Sequence, residues 1–122
     1  MRKLFALFSF WLFSLVSVVE ANAIESSPML GGPSQTVAVL YITSVAGTAT
    51  IIGHILYNEA GVAQTVSATN CGTHLIAPRT CSVIFSATVG AYWAVVTSAG
   101  VIRATLELRD LNGNVLGRLE LR

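Results

Sequence analysis

The sequence predicts an all-β domain of about seven antiparallel strands, closed as a sandwich or a barrel, behind an N-terminal signal peptide. Three observations predict it. Beyond residue 23, Val, Ile and Thr supply 30 of 99 residues, and such side chains are stiff at χ1 and fit a pleated surface better than a helix. Short apolar segments recur from Gln35 onward between turn signals, at the close and fairly even spacing of a sandwich or barrel. No window of helical length carries a clean 3.6-residue apolar period.

The whole chain has 122 residues, 53% hydrophobic and 11% charged, with a net charge of +1. Intrinsic disorder needs the opposite balance. The length allows one domain, which excludes a large multidomain enzyme. Near-neutral charge gives no electrostatic footprint for nucleic acid or an anionic membrane surface.

Residues 1–23 read as a secretory signal peptide. Arg2 and Lys3 form the positive start, Leu4 to Val19 the apolar core, and Ala21-Asn22-Ala23 the small-residue site, with cleavage after Ala23. The apolar run of 16 residues falls short of the roughly 20 that a spanning helix needs. No stop-transfer charge cluster follows it, so the mature chain is expected to have no membrane span. Cleavage removes four of five phenylalanines, one of two tryptophans and the only lysine, and leaves five arginines against five acids.

Residues 24–34, with two prolines, two glycines and three serines, read as a flexible leader outside the core. The β domain is expected over 35–122. Its segments fall at about 35–44, 48–57, 62–69, 80–87, 91–97, 101–109 and 115–121, with 71–79 as a loop. The apolar stretch from Thr36 to Leu56 reads as two buried strands and not as a membrane helix, because Ala46-Gly47 breaks it and it carries Gly53 and His54.

Alternation is clearest near the C-terminus. Ile102, Ala104, Leu106 and Leu108 fall on one face, and Arg103, Thr105, Glu107 and Arg109 on the other. On the next strand Val115, Gly117, Leu119 and Leu121 share a face. If Arg109 faces Asn114 across the Asp110–Gly113 turn, Ala104 meets Leu119 and Arg103 meets Glu120, a modest cross-strand pair. The segment Leu56–Gly61 repeats the pattern of Leu108–Gly113: an apolar residue two before Asn or Asp, and glycine three after it. Two hairpins of one geometry are expected.

Cys71 and Cys81 are an even pair in a chain read as exported, and therefore a disulfide. Their spacing is wrong for a redox Cys-x-x-Cys motif. A zinc site would need two more ligands, and His54 and His74 are the only histidines.

The hairpin pattern, Cys71…Cys81 and the segment Gly90-Ala91-Tyr92-Trp93 together resemble immunoglobulin-like β-sandwich domains of bacterial secreted and surface proteins, over about residues 36–121. The resemblance implies a sandwich, and a role in adhesion, spacing or recognition. The chain departs from antibody-type domains, whose cysteines link two sheets over a longer separation; here the bond closes a local loop.

Candidate chemistry is sparse. No Gly-x-Ser-x-Gly elbow frames a serine, and no phosphate loop, dinucleotide fingerprint or EF-hand spacing appears. His54 reads as a strand residue and His74 as a surface residue of the cysteine loop. Glu25 lies in the leader and Glu59 and Asp110 in turns, while Glu107 and Glu120 are interleaved with Arg103, Arg109, Arg118 and Arg122, where mutual pairing is expected. Tyr92 and Trp93 point to opposite faces of one strand and are the candidates for contact with a sugar or protein surface. No catalytic residue, metal or cofactor is assigned.

The expected function is therefore an exported, non-catalytic interaction or structural module, secreted, periplasmic or at the cell surface. The alternative is a small secreted or periplasmic enzyme, or an enzyme inhibitor, with a site that sequence does not display. Seven of the ten mature charges lie between Arg103 and Arg122. The earlier strands then have little charge with which to protect a face or an edge, so self-association or a partner surface is expected and nucleic acid is not.

Overall fold

The computed structural model describes residues 21–122. The expected signal sequence lies outside them except for its last three residues, and the expected cleavage junction after Ala23 falls inside the first strand. Ten strands and no helix are present among the described residues: β1 Asn22–Glu25, β2 Met29–Leu30, β3 Gln35–Ser44, β4 Thr48–Asn58, β5 Val66–Thr69, β6 His74–Ile76, β7 Thr80–Ser86, β8 Ala91–Ala99, β9 Ile102–Asp110 and β10 Val115–Glu120. They form two antiparallel five-stranded sheets packed as a sandwich. Sheet A runs β1-β8-β4-β6, with β2 also on β8; sheet B runs β10-β9-β3-β7-β5.

The two sheets share one folded ribbon. β3 pairs with β9 in sheet B, and their continuations β4 and β8 pair in sheet A. The strands β7 and β6 flank them in the same way. Three long antiparallel strands thus bend together across one corner, at 45–47, 77–79 and 100–101, as strands that switch sheets do in folded sandwiches. Hydrogen bonds carry the ladder round the bend: the Val45 N–H donates to the Val101 carbonyl (3.0 Å), Ser44 N–H to Arg79 (3.1 Å) and Ala77 N–H to Gly47 (2.8 Å). Gly100 is needed there twice over. Its φ is +105°, and a Cβ would lie 3.1 Å from the Ala49 Cα. The buried hydroxyls of Ser44 and Ser98 donate to the carbonyls of Gly47 (3.2 Å) and Gly100 (3.3 Å), which satisfies polar groups that the bend frees.

Between the sheets lie Leu40, Ile42, Leu56, Val83, Phe85, Val96, Leu106 and Leu108, all at or near complete burial. The face assigned to the ninth strand holds: Ala104, Leu106 and Leu108 are buried and Arg103 is exposed.

The two matched turns hold, but only the second joins paired strands: after Asn58 the return chain makes the single bridge Tyr57↔Ala63 and then crosses to sheet B as β5. Gly61 N–H donates to the Asn58 carbonyl (2.9 Å) and Gly113 N–H to that of Asp110 (3.1 Å), both glycines having positive φ. In each, the leading side chain accepts two backbone N–H groups: Asn58 Oδ1 from Ala60 and Val62, Asp110 Oδ1 from Asn112 and Asn114. Three-residue loops with glycine in the left-handed position have this form.

Four expectations need correction. Ten strands are present among the described residues, not seven. Residues 24–34 are no free leader, because β1 and β2 both pair with β8, and Ile24 and Met29 pack on the core. The 71–79 loop contains β6, held to β4 through Ala49↔Leu75. The C-terminal register is displaced, by one residue where Arg109 stands opposite Val115 and by two from Leu108 opposite Gly117 to Leu106 opposite Leu119. A three-residue loop and a bulge at Leu116 each add one residue. From Gly117 onward the displacement is even and keeps each side chain on its face, but Val115, opposite Arg109, turns to the outer face and is 52% exposed, and Glu120 now meets Thr105 instead of Arg103.

The strand order also limits the immunoglobulin comparison. Antibody-type sandwiches place several consecutive strands side by side within a sheet. Here β9 and β10 are the only consecutive strands that pair among the described residues.

Candidate interaction surface

The two outer faces of the sandwich differ in chemistry. Strands β4, β6 and β8 contain no acid, lysine or arginine. Strands β9 and β10 carry Arg103, Glu107, Arg109, Asp110, Arg118 and Glu120.

Alternation fixes what the outer face of sheet A presents. Along β8, Tyr92, Ala94, Val96 and Ser98 are buried, so Trp93, Val95 and Thr97 point outward. Their cross-strand partners on β4 are Tyr57, Ile55 and Gly53. The rings of Tyr57 and Trp93 stack, with centroids 4.5 Å apart and planes 24° apart. Ile52, extruded by a bulge between Ile51 and Gly53, is 56% exposed, Ile76 on β6 59%, and Ile55 39%. Beside the stack a hollow of about 490 Å³ is lined by Glu25, Ser26, Ser27, Pro28, Trp93 and Arg122.

Of the two aromatic candidates, Tyr92 is removed: it is 5% exposed and belongs to the core. Trp93 remains, half-buried on the outer face. Sequence reasoning missed Tyr57. Its aromatic character and outward parity were visible, but its position opposite Trp93 depends on a pairing across 36 residues.

The outer face of sheet B is an ion-pair network. Glu107 is 4% exposed beneath its partners. Arg109 donates to Glu107 Oε1 through Nε (3.0 Å) and Nη2 (2.7 Å), and Nη2 also reaches the Tyr41 hydroxyl (2.6 Å). Arg118 lies 3.4 Å from Glu107 Oε2. The expected mutual pairing thus centres on one carboxylate. Arg103 has no salt bridge among the described residues.

At the hairpin tip the side-chain amide of Asn114 donates to Asp110 Oδ2 (3.0 Å). With the backbone N–H groups of the turn, it holds the Asp110 carboxyl below the usual carboxylate range. The sign follows. A depressed folded value adds stability above the unfolded value near pH ~3.9, and that stability is lost as pH falls through the folded value. By NMR titration Asp110 should therefore ionise below a free aspartate, and Asn114→Ala should raise its midpoint; a midpoint at or above the free value contradicts this reading.

Cys71 and Cys81 are disulfide-bonded, with Cα atoms 5.0 Å apart. The bond ties the end of edge strand β5 to the start of β7, where Asn70 and Ser82 also exchange hydrogen bonds. Closing a loop of separation 10 stabilises the chain by roughly 2–3 kcal/mol on the chain-entropy estimate. Reduction should lower the unfolding free energy measured in urea by that amount, and the midpoint with it, while leaving the far-ultraviolet strand signal in place. An unchanged midpoint would show that β5 is held without the bond.

The candidate catalytic groups do not converge. Among the described residues, the side-chain hydrogen bonds link neither histidine to an acid. His54 is half-buried with Nδ1 unpartnered, and the exposed His74 Nδ1 lies 3.3 Å from Thr50 Oγ1. No three His, Cys, Asp or Glu side chains gather there as a metal-binding group.

No protein-family model matches the chain, and no curated protein matches it. Among solved structures, a DUF4466 family protein from Parabacteroides merdae is similar, with a TM-score of 0.49 and 13% sequence identity. The match covers 86% of this chain and 38% of that one, so the chain spans well under half of that protein's length.

Proposed function

We propose that the protein is an exported, non-catalytic β-sandwich that works as an interaction or structural module, and that the outer face of sheet A is its contact surface. The observation that carries the reading is the segregation of charge. One face has an ion-pair network that keeps it in water, and the other has exposed Ile52, Ile55 and Ile76 around an aromatic stack with no charge on β4, β6 or β8. Exposed apolar patches rimmed by polar residues, here Glu25 on β1 opposite Val95, mark interaction sites. The signal-like residues 1–23 support export, and the Cys71–Cys81 bond suits an oxidising compartment. The resemblance to immunoglobulin-like modules supports a recognition role at the level of two packed layers. The dispersal of histidines and acids supports the absence of catalysis.

The test is retention of the exported protein on its own cell-envelope fraction. Ile55→Glu places a charge at the centre of the face and should weaken retention by about thirty-fold, the effect of losing a central contact. Leu111 is 85% exposed at the hairpin tip, off this face, and Leu111→Glu should have no effect. Equal behaviour of the two variants would overturn the assignment of the face.

A further inference from the structure

We infer that the hollow beside Trp93 binds a neutral sugar chain, with one sugar ring against the indole and its hydroxyls on Glu25, Ser26, Ser27 and Arg122. The inference rests on the reading of the β4, β6 and β8 face as the contact surface and names the chemistry of what meets its Trp93 end.

The hollow exists because the chain leaves the β8 ladder between β1 and β2. Glu25 pairs with Val95 and Met29 with Tyr92. Three residues, Ser26, Ser27 and Pro28, therefore span a stretch where β8 has two, Ala94 and Trp93, and the extra residue bends the chain away. Tyr57 stacks on Trp93 from the β4 side, and the hollow opens on the β1 side. The indole is thus braced on one flank and accessible on the other.

The backbone around the hollow is already paired. Glu25 and Arg122 exchange both backbone hydrogen bonds (3.0 and 2.8 Å), and the Ser26 N–H donates to the Ala94 carbonyl (3.0 Å). A peptide would find no strand edge to extend there. Side-chain capacity is what remains. Glu25 and Arg122 stand opposite one another, yet among the described residues neither forms a salt bridge. Ser26 is 6% exposed, and its Oγ accepts the Ala94 N–H (3.0 Å); its own proton has no acceptor among the described residues. Ser27 is exposed beside it.

This set selects by charge and by shape. A second hollow of about 270 Å³, lined by Glu25, Ser27, Leu119, Glu120 and Arg122, adjoins the first. Two carboxylates around one guanidinium repel an anion, and the guanidinium opposes a cation. A sugar hydroxyl both donates and accepts, so it matches a rim of mixed donors and acceptors. The C–H face of the sugar ring buries apolar area against an indole. The larger hollow, of about 490 Å³, lies within the roughly 300–1,000 Å³ of small-ligand sites. Because the two hollows share Glu25, Ser27 and Arg122, the track continues past one sugar and suits a chain.

The probe is the neutral oligosaccharide fraction released from the cell envelope by partial acid hydrolysis and separated from acidic sugars by ion exchange. With Trp11 removed by the expected cleavage, Trp93 is the exported protein's only tryptophan, and its emission reports the site directly. A saturable change in that emission is expected with the neutral fraction and none with the acidic one. Glu25→Ala and Arg122→Ala, both at exposed positions, should each weaken binding by about tenfold. Trp93→Ala, read by calorimetry, should weaken it at least as much. Ser86→Arg, on an exposed position of sheet B, should change nothing. No response to the neutral fraction, a response to the acidic fraction alone, or binding indifferent to the first three variants overturns the inference. In each of those cases, envelope retention that remains sensitive to Ile55→Glu and is lost after protease treatment of the envelope keeps the contact surface and makes its occupant a protein. Loss of that sensitivity rejects both readings.

Discussion

Leu106→Asp is expected to abolish the folded state at neutral pH. Leu106 is fully buried at the centre of β9, opposite Leu40 on β3 and Leu119 on β10. Removing its side chain from the core costs about 2–5 kcal/mol. An unpaired carboxylate in its place costs several more, since no cationic group belongs to the surrounding core cluster. A domain of this size has a total stability of about 5–15 kcal/mol, so the combined penalty consumes most or all of it. Arg103→Ala, three residues away on the opposite face, should cost under about 1 kcal/mol, because the side chain is exposed and makes no salt bridge among the described residues. Urea unfolding followed by circular dichroism separates the two. Similar midpoints would mean that the faces of β9 are reversed.

The second large effect is expected at Gln35. This side chain, in a residue 2% exposed, holds together two connections distant in sequence. Its Oε1 accepts the Gly31 N–H (2.7 Å), and its Nε2 donates to the carbonyls of Thr88 (2.9 Å) and Gly90 (3.1 Å). The turn between β2 and β3 is thereby fastened to the loop between β7 and β8. Gln35→Leu keeps the bulk but strands one donor and two acceptors, for a loss of about 2–4 kcal/mol. Gln35→Glu should be worse at neutral pH, because it sets a carboxylate against two carbonyl oxygens. Burial raises the folded pKa of such a group above its unfolded value near ~4.3. Stability is then greatest below the unfolded value and is lost as pH rises through the folded one, so Gln35→Glu should recover on acidification while Gln35→Leu should not. Matching pH profiles would show that the amide's two donated bonds do not matter.

Gln35 also shows where sequence reading stops. It stands at the start of a strand whose apolar residues were legible, but its burial depends on carbonyls more than 50 residues away. Local patterns fared well: the alternation at Ile102–Leu108 gave the buried face, and the Asn58 and Asp110 turns announced their shared geometry. The short strands were invisible for physical reasons. β2 has 2 residues and β6 has 3, too few for a period of two to register, and β1 exists because β8 offers an unpaired edge. The three-residue loop and the bulge at Leu116 displaced the register; the faces stayed correct from Gly117 onward and reversed at Val115. At the candidate surface, Trp93 could be singled out from sequence. Its stack on Tyr57 required the β4·β8 register, which no local signal encodes.

The central claim is that the apolar face of β4, β6 and β8 is covered when the protein is at work and the charged face of sheet B is not. Hydroxyl-radical footprinting of the protein on its envelope fraction, compared with the same protein free at high dilution, tests this most directly. The account predicts that Trp93, Tyr57 and Ile55 lose reactivity in the bound state while Leu111 and Arg118 keep theirs. Protection confined to β9 and β10, or an unchanged pattern on β4 and β8, would contradict it.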